Sequence, residues 1–276
     1  MVNENTDTFC FMELVDSQTY RETVERCRSI SATAGWTAAI DWAHGWLADT
    51  QGKSAADVLR ALERTPMDAS LIRCLEALCA RGVEVSVVSD SNSLFIAQVL
   101  HAHGVRVPAR MSSALAAASK IALMDPAKEP GAGCASVARV ATNVAWVEGA
   151  AADGGPGVPR IRLSPHDPRP VGCPRCPANL CKGRALHAVL GTAAGAGAAA
   201  PASPAPSRVV YVGDGSNDLC PGMCLRECDV LLARKGYRLA EKLAADPASV
   251  RCSVRLWEDG SELAALLLEC AVAPAA

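Results

Sequence analysis

The stretch VVYVGDGSNDLCPG, residues 209–222, decides how the rest of the chain is read. Val209, Val210, Tyr211 and Val212 make a short β-branched and aromatic run, the composition of a strand. The run ends at Gly213, and Asp214 and Asp218 follow it closely. In an open parallel sheet, ligands gather beyond the carboxyl ends of the strands. Both carboxylates therefore stand where a ligand would sit, and Gly213 and Gly215 let the backbone turn tightly there. Hard carboxylate oxygens at one strand end suit Mg2+, which takes few protein carboxylates and keeps water and phosphate in its other positions. The plain alternative is a turn with a solvated acidic pair. A dinucleotide fingerprint is excluded, because the GxGxxG pattern fails at Asp218.

Outward from this stretch the pattern alternates. Residues 68–81 predict a helix, capped by Asp68 and stopped at Gly82. Residues 83–89 (VEVSVVS) predict a strand, and residues 93–103 a helix closed by Gly104. Such a run builds a parallel sheet covered on both faces, so the fold class expected is α/β with a Rossmann-like sheet. Residues 141–147 and 160–163 predict a hairpin, and residues 182–190 a helix. Residues 208–212, 229–233 and 254–257 predict three further strands, before an apolar helix over 262–270 capped by Ser261. Ahead of all this, residues 13–81 read as helical: 13–30, then Trp36, Ile40 and Leu47 at helical spacing, then 54–62. The tryptophans are read as core. Residues 105–172 are otherwise less regular, and GTAAGAGAAAPASPAPS, residues 191–207, is a low-complexity surface loop.

Composition narrows the function. Half the chain is hydrophobic, enough for a sizeable core, and the length suits one medium domain with an insert or two small domains. A net charge of −2 implies no broad basic surface, which argues against a nucleic-acid partner. No apolar run is long enough to span a bilayer, and the first residues do not resemble a signal peptide. The 13 cysteines, an odd number, fit reduced thiols in a cytoplasmic or organelle-stromal protein better than a disulfide framework.

Two further elements join the aspartates. Ser89, at a strand end, has a hydroxyl that can donate to a phosphate oxygen, although alone it reads equally as a helix cap. Lys182, at the head of its helix, can neutralise charge on a phosphoryl group. The order strand-Ser, Lys, strand-Asp-x-x-x-Asp says more than any member. The motifs SDSN (89–92), CPRCPANLCKGRAL (173–186) and YVGDGSNDLCPG (211–222) resemble the phosphoethanolamine/phosphocholine phosphatases of the haloacid-dehalogenase superfamily. ENTD (4–7), ARKGYRLAEKL (233–243) and VRLWEDGSEL (254–263) extend the likeness over nearly the full length.

The resemblance implies a Mg2+-dependent phosphatase acting on small phosphomonoesters through an aspartyl-phosphate, with phosphoethanolamine or phosphocholine as substrate. It makes Ser89 the phosphate-binding residue and Lys182 the phosphate-neutralising one, with Asp214 as metal ligand and Asp218 beside it. Asp7 and Asp90, with Asn92 next to them, would meet a cationic head group. Asp7 reads equally well as a helix cap. Residues 8–70 would form a helical cap over a core of residues 71–276, with residues 1–7 left from the end of the first core strand. The family's Asp-x-Asp-x-Thr nucleophile motif precedes the stretch matching residues 2–7, and no Asp-x-Asp occurs in this sequence. The expectation is therefore an N-terminally truncated phosphatase. The alternative is a catalytically dead phospho-ligand binder.

Cys173, Cys176 and Cys181 form a local cluster that invites zinc, with His166 or His187 as a fourth ligand. Cys220, Cys224 and Cys228 form another trio. The bland reading is a tight Cys-Pro loop of buried thiols that positions Lys182.

Overall fold

The computed structural model describes residues 6–119, 135–149, 157–192 and 208–272. Five helices come first: α1 (Thr6–Leu14), α2 (Ser17–Ala34), α3 (Trp36–Gln51), α4 (Ala55–Leu62) and α5 (Ala69–Ala80). Then come β1 (Ser86–Asn92), α6 (Ser93–Ala102), α7 (Ala109–Ser119), β2 (Arg139–Glu148), β3 (Arg160–Ser164) and α8 (Lys182–Leu190). The last part holds β4 (Val210–Gly213), α9 (Leu219–Gly222), β5 (Val230–Arg234), α10 (Arg238–Ala245), β6 (Ser253–Trp257) and α11 (Gly260–Val272). The low-complexity stretch lies, from residue 193 to 207, outside the described residues. Among the described residues, no helix is long and apolar enough to cross a membrane.

Local chemistry sets the helix boundaries. Asp16 accepts the Gln18 and Thr19 amides at the start of α2, so the single helix expected over residues 13–30 is two. Ser54 and Asp57 form a reciprocal capping box on α4, and Asp68 accepts the Ser70 amide at α5. At α11 the cap is Asp259, whose carboxylate accepts the Ser261 and Glu262 amides; Ser261 itself is not the acceptor. The alanine-rich α7 forms within the stretch read as irregular.

Among the described residues six strands make two sheets, ordered β1-β2-β3 and β4-β5-β6. All neighbours are parallel except β2 and β3, the expected hairpin. The second sheet is covered on both faces. Leu231 and Ala233 of β5 pack with Leu186, Leu225, Leu239 and Leu243, while Val230 and Leu232 face Leu71, Trp257, Leu263 and Leu266. That alternation is the period of a strand. The first sheet shares its core with helices α1–α4 and α6, through Phe11, Leu47, Leu59, Leu62, Phe95 and Ile161.

Among the described residues no strand pairs with the outer edge of β1 or of β4. Their burial reflects this. Residues 86–91 of β1 are all half-buried and β4 alternates between half-buried and buried, whereas residues 230–233 of β5 are all buried.

Candidate active site

β1 does not end cleanly. Val88 pairs with Ala141 and Asn92 with Asn143, so Ser89, Asp90 and Ser91 stand opposite Thr142 alone. The extra residues bulge out of the ladder, and bulges re-aim side chains. β2 supplies the bonds that the bulge forfeits. Thr142 Oγ1 donates to the Ser91 carbonyl at 2.7 Å, and Asn143 Nδ2 donates to the Asp90 carbonyl at 2.5 Å. Ser89 Oγ accepts the Ser91 amide at 3.2 Å. Cap duty falls to Asn92, whose Oδ1 accepts the Phe95 amide at 3.1 Å. Asn92 is fully buried, and its Nδ2 has no partner.

β4 ends in the second arm of the site. A Cβ on Gly213 would lie 2.6 Å from Asp218 Cβ, so only glycine lets the turn fold back this closely. Asp218 is buried and its carboxylate is saturated. Oδ1 accepts Lys182 Nζ and Tyr211 Oη, each at 2.8 Å. Oδ2 accepts the Asp214 amide at 3.1 Å and the Gly215 amide at 2.9 Å. Asp214 is exposed at the strand end, and no described group hydrogen-bonds its side chain.

Lys182 joins the two arms. It is 8% exposed, the first residue of α8, and its Nζ lies 3.6 Å from Asp90 Oδ2. Burial pulls the ammonium's pKa down, but Asp218, Asp90 and Asp214 outweigh burial and hold it above the ordinary lysine value. Asn217 Nδ2 donates to the same Asp90 oxygen at 2.5 Å, leaving the buried Oδ1 of Asp90 without a partner. Behind Lys182, Asp167 accepts the Cys181 amide at 3.0 Å and pairs with Arg184, which pins the start of α8.

Asp7 reaches the same region from α1. It sits inside the first helical turn rather than at a cap. Trp36 Nε1 donates to its Oδ2 at 2.9 Å and Ser91 Oγ to its Oδ1 at 3.3 Å. Burial pushes its carboxyl up to about 6, against the pull of those two hydrogen bonds and with a small push from Asp90.

The structure thus gathers Asp7, Ser89, Asp90, Lys182, Asp214 and Asp218 around the carboxyl ends of β1 and β4. Asn92, at the end of β1, is buried and spends its Oδ1 on the cap of α6. Sequence reasoning missed Tyr211, Asn217, Asn143 and Trp36. Tyr211 reads simply as a strand residue, and nothing local marks its hydroxyl as a partner for Asp218. The expected fourth neighbour of the cysteine cluster is corrected. His166 Nδ1 lies against the Thr142 carbonyl and His187 Nδ1 against Thr192 Oγ1, while Cys220 comes to the three cysteines instead.

A family model described as "Putative Phosphatase" matches residues 1–110 and 140–271. The chain is 26% identical over 223 residues to an Arabidopsis thaliana thiamine phosphate phosphatase-like protein, covering 80% of this chain and 74% of that one. It is 25% identical over 221 residues to inorganic pyrophosphatase 2 of Arabidopsis thaliana, covering 79% of this chain and 64% of that one. Over 95 residues it is 39% identical to the human phosphoethanolamine/phosphocholine phosphatase, a third of each chain. No solved structure matches.

Proposed function

The chain belongs to the phosphatase family whose model it matches, within the haloacid-dehalogenase superfamily, and from that membership we propose that it serves Mg2+-dependent hydrolysis of small phosphomonoesters. Phosphoethanolamine or phosphocholine is the preferred substrate in this reading, and the cytoplasm its setting. The observation that carries it is the buried Lys182 ammonium, held between Asp218 and Asp90 at the meeting point of two strand ends. A fixed cation there offers a phosphoryl group charge that needs no rearrangement during reaction.

The donor set fits Mg2+. Asp214 presents a hard oxygen ligand open to solvent at the end of β4, and no described group hydrogen-bonds its side chain. Asp218, whose two oxygens already accept Lys182, Tyr211 and the Asp214 and Gly215 amides, would hold Lys182 and the Asp214 backbone in place for such an ion rather than ligate it directly. When bound, Mg2+ would supply charge to the phosphoryl oxygens. Ser89 would donate its hydroxyl to one of those oxygens, Lys182 would neutralise another, and Asp7 and Asp90 would face the cationic head. Helices over residues 8–70 would act as a cap that excludes water. A strand bearing an attacking carboxylate would fit against β1 and β4, whose remaining edges no described strand pairs.

A second reading is favoured by one observation: these 276 residues contain no Asp-x-Asp. In that reading the chain binds a phosphorylated ligand without turnover. Phosphate release separates the two. The 276-residue chain and a version extended by a strand bearing Asp-x-Asp-x-Thr would be assayed with and without Mg2+. The panel would hold phosphocholine, phosphoethanolamine, pyridoxal phosphate, thiamine phosphate and pyrophosphate. Mg2+-dependent release by the extended form, lost by at least roughly a hundredfold in Lys182→Met, is the expected result. Calorimetric binding of phosphocholine with no release by either form would favour the second reading. Neither binding nor release would sink both.

A further inference from the structure

We propose that Cys173, Cys176, Cys181 and Cys220 form a closed structural zinc site behind the Lys182 ammonium, independent of any Mg2+ at Asp214. The four Sγ atoms all lie within 4.8 Å of one another. A tetrahedral thiolate site with Zn–S near 2.3 Å requires sulfur atoms about 3.8 Å apart. Cys173 Sγ and Cys220 Sγ are 3.7 Å apart, already at that spacing. All four cysteines are free thiols, with Cys181 buried and Cys173 and Cys176 half-buried. Four soft ligands with no carboxylate or imidazole among them select zinc over a hard cation. Because all four positions come from protein, nothing is left open for catalysis, and the ion's role is to hold the fold.

The ligands come from three places: the loop before α8, the N-cap of α8, and the first turn of α9. Cys181 immediately precedes Lys182, and Cys220 lies just beyond Asp218. One ion would thus tie together the segments whose side chains meet at the 2.8 Å ammonium–carboxylate contact. Gly183 is shaped for this approach, since a Cβ there would lie 2.8 Å from Cys220 Sγ. On binding, each thiol gives its proton to solvent and its sulfur lone pair to zinc, with no change of oxidation state.

The test uses the full chain purified under reducing conditions with no added metal. Elemental analysis is expected to find about one zinc per chain, released by an organomercurial. Metal-free protein titrated with Co2+ is expected to show thiolate-to-cobalt charge transfer and the intense visible band of a tetrahedral ion. Cys173→Ser and Cys220→Ser should each weaken zinc binding by more than roughly tenfold. Cys224→Ser, outside the four, should leave the zinc content unchanged. If a ligand variant does not fold, the cobalt spectrum of the parent decides alone. Zinc-free parent protein with no tetrahedral thiolate spectrum overturns the proposal, as does full zinc retention in both ligand variants. Neither readout depends on phosphate turnover.

Discussion

Asp7 is a carboxyl group in an apolar setting, held by an indole N–H and a serine hydroxyl. Its pKa is about 6 in the fold against an ordinary 3.8, so between those values the folded state holds a proton that the unfolded chain has lost. Stability contributed by this group is therefore full below pH 3.8 and is lost as pH rises through about 6. The loss is at most about 3 kcal/mol, from roughly two pKa units. Asp7→Asn keeps an acceptor for Trp36 and carries no charge. We expect the variant to lack this decline and to exceed the parent in stability at neutral pH, as read by urea unfolding across pH. Superimposable pH profiles would refute the assignment. The same titration bears on the proposed substrate. Affinity for phosphocholine should rise with pH through about 6 in the parent, beyond the rise seen for inorganic phosphate, and Asp7→Asn should remove the excess.

At the scale of elements, the turn after β4 and the start of α8 stand or fall together. Gly213→Ala puts a methyl 2.6 Å from Asp218 Cβ, which forces the turn open and parts Asp218 from Lys182. Overpacking of this kind costs about 1–3 kcal/mol, and the expected thermal unfolding midpoint is lower. Tyr211→Phe leaves the turn in place and removes one of four donors from a buried carboxylate, for a loss of about 1.5 kcal/mol, the low end for a bond to a charged group because three donors remain. A Tyr211→Phe loss larger than that of Gly213→Ala would invert this account. These elements were differently legible. The helix at 182–190 and the strands around 210, 230 and 255 announce themselves by Cβ-branching, glycine stops and periodicity. The strand expected over 83–89 spans Ser86–Asn92; it ends three residues later because the β2 side chains Thr142 and Asn143 hold residues 90 and 91 at its end, a long-range effect with no local signature. Asp214 and Lys182 stood out by position. Tyr211 and Cys220 did not, because their roles exist only once distant segments meet.

Across the whole molecule, the two sheets have separate ladders and are bridged at one end by the side chains of Lys182, Asp90, Asn217 and Asp218. Native-state hydrogen exchange should rank the amides accordingly. Those of β5, paired on both sides, should be the slowest, while β1 and β4 carry amides that exchange orders of magnitude sooner. Uniform protection across all three strands would contradict two separate ladders whose outer edges no described strand pairs. An edge that no described strand pairs also has a social consequence. Backbone N–H and C=O groups do not read sequence, so an edge that accepts one extended segment accepts others, including the same edge of a neighbouring molecule. The 276-residue chain, kept concentrated, should drift toward larger species by strand-to-strand contact, and a short peptide rich in β-branched residues should slow that drift by occupying the edge first.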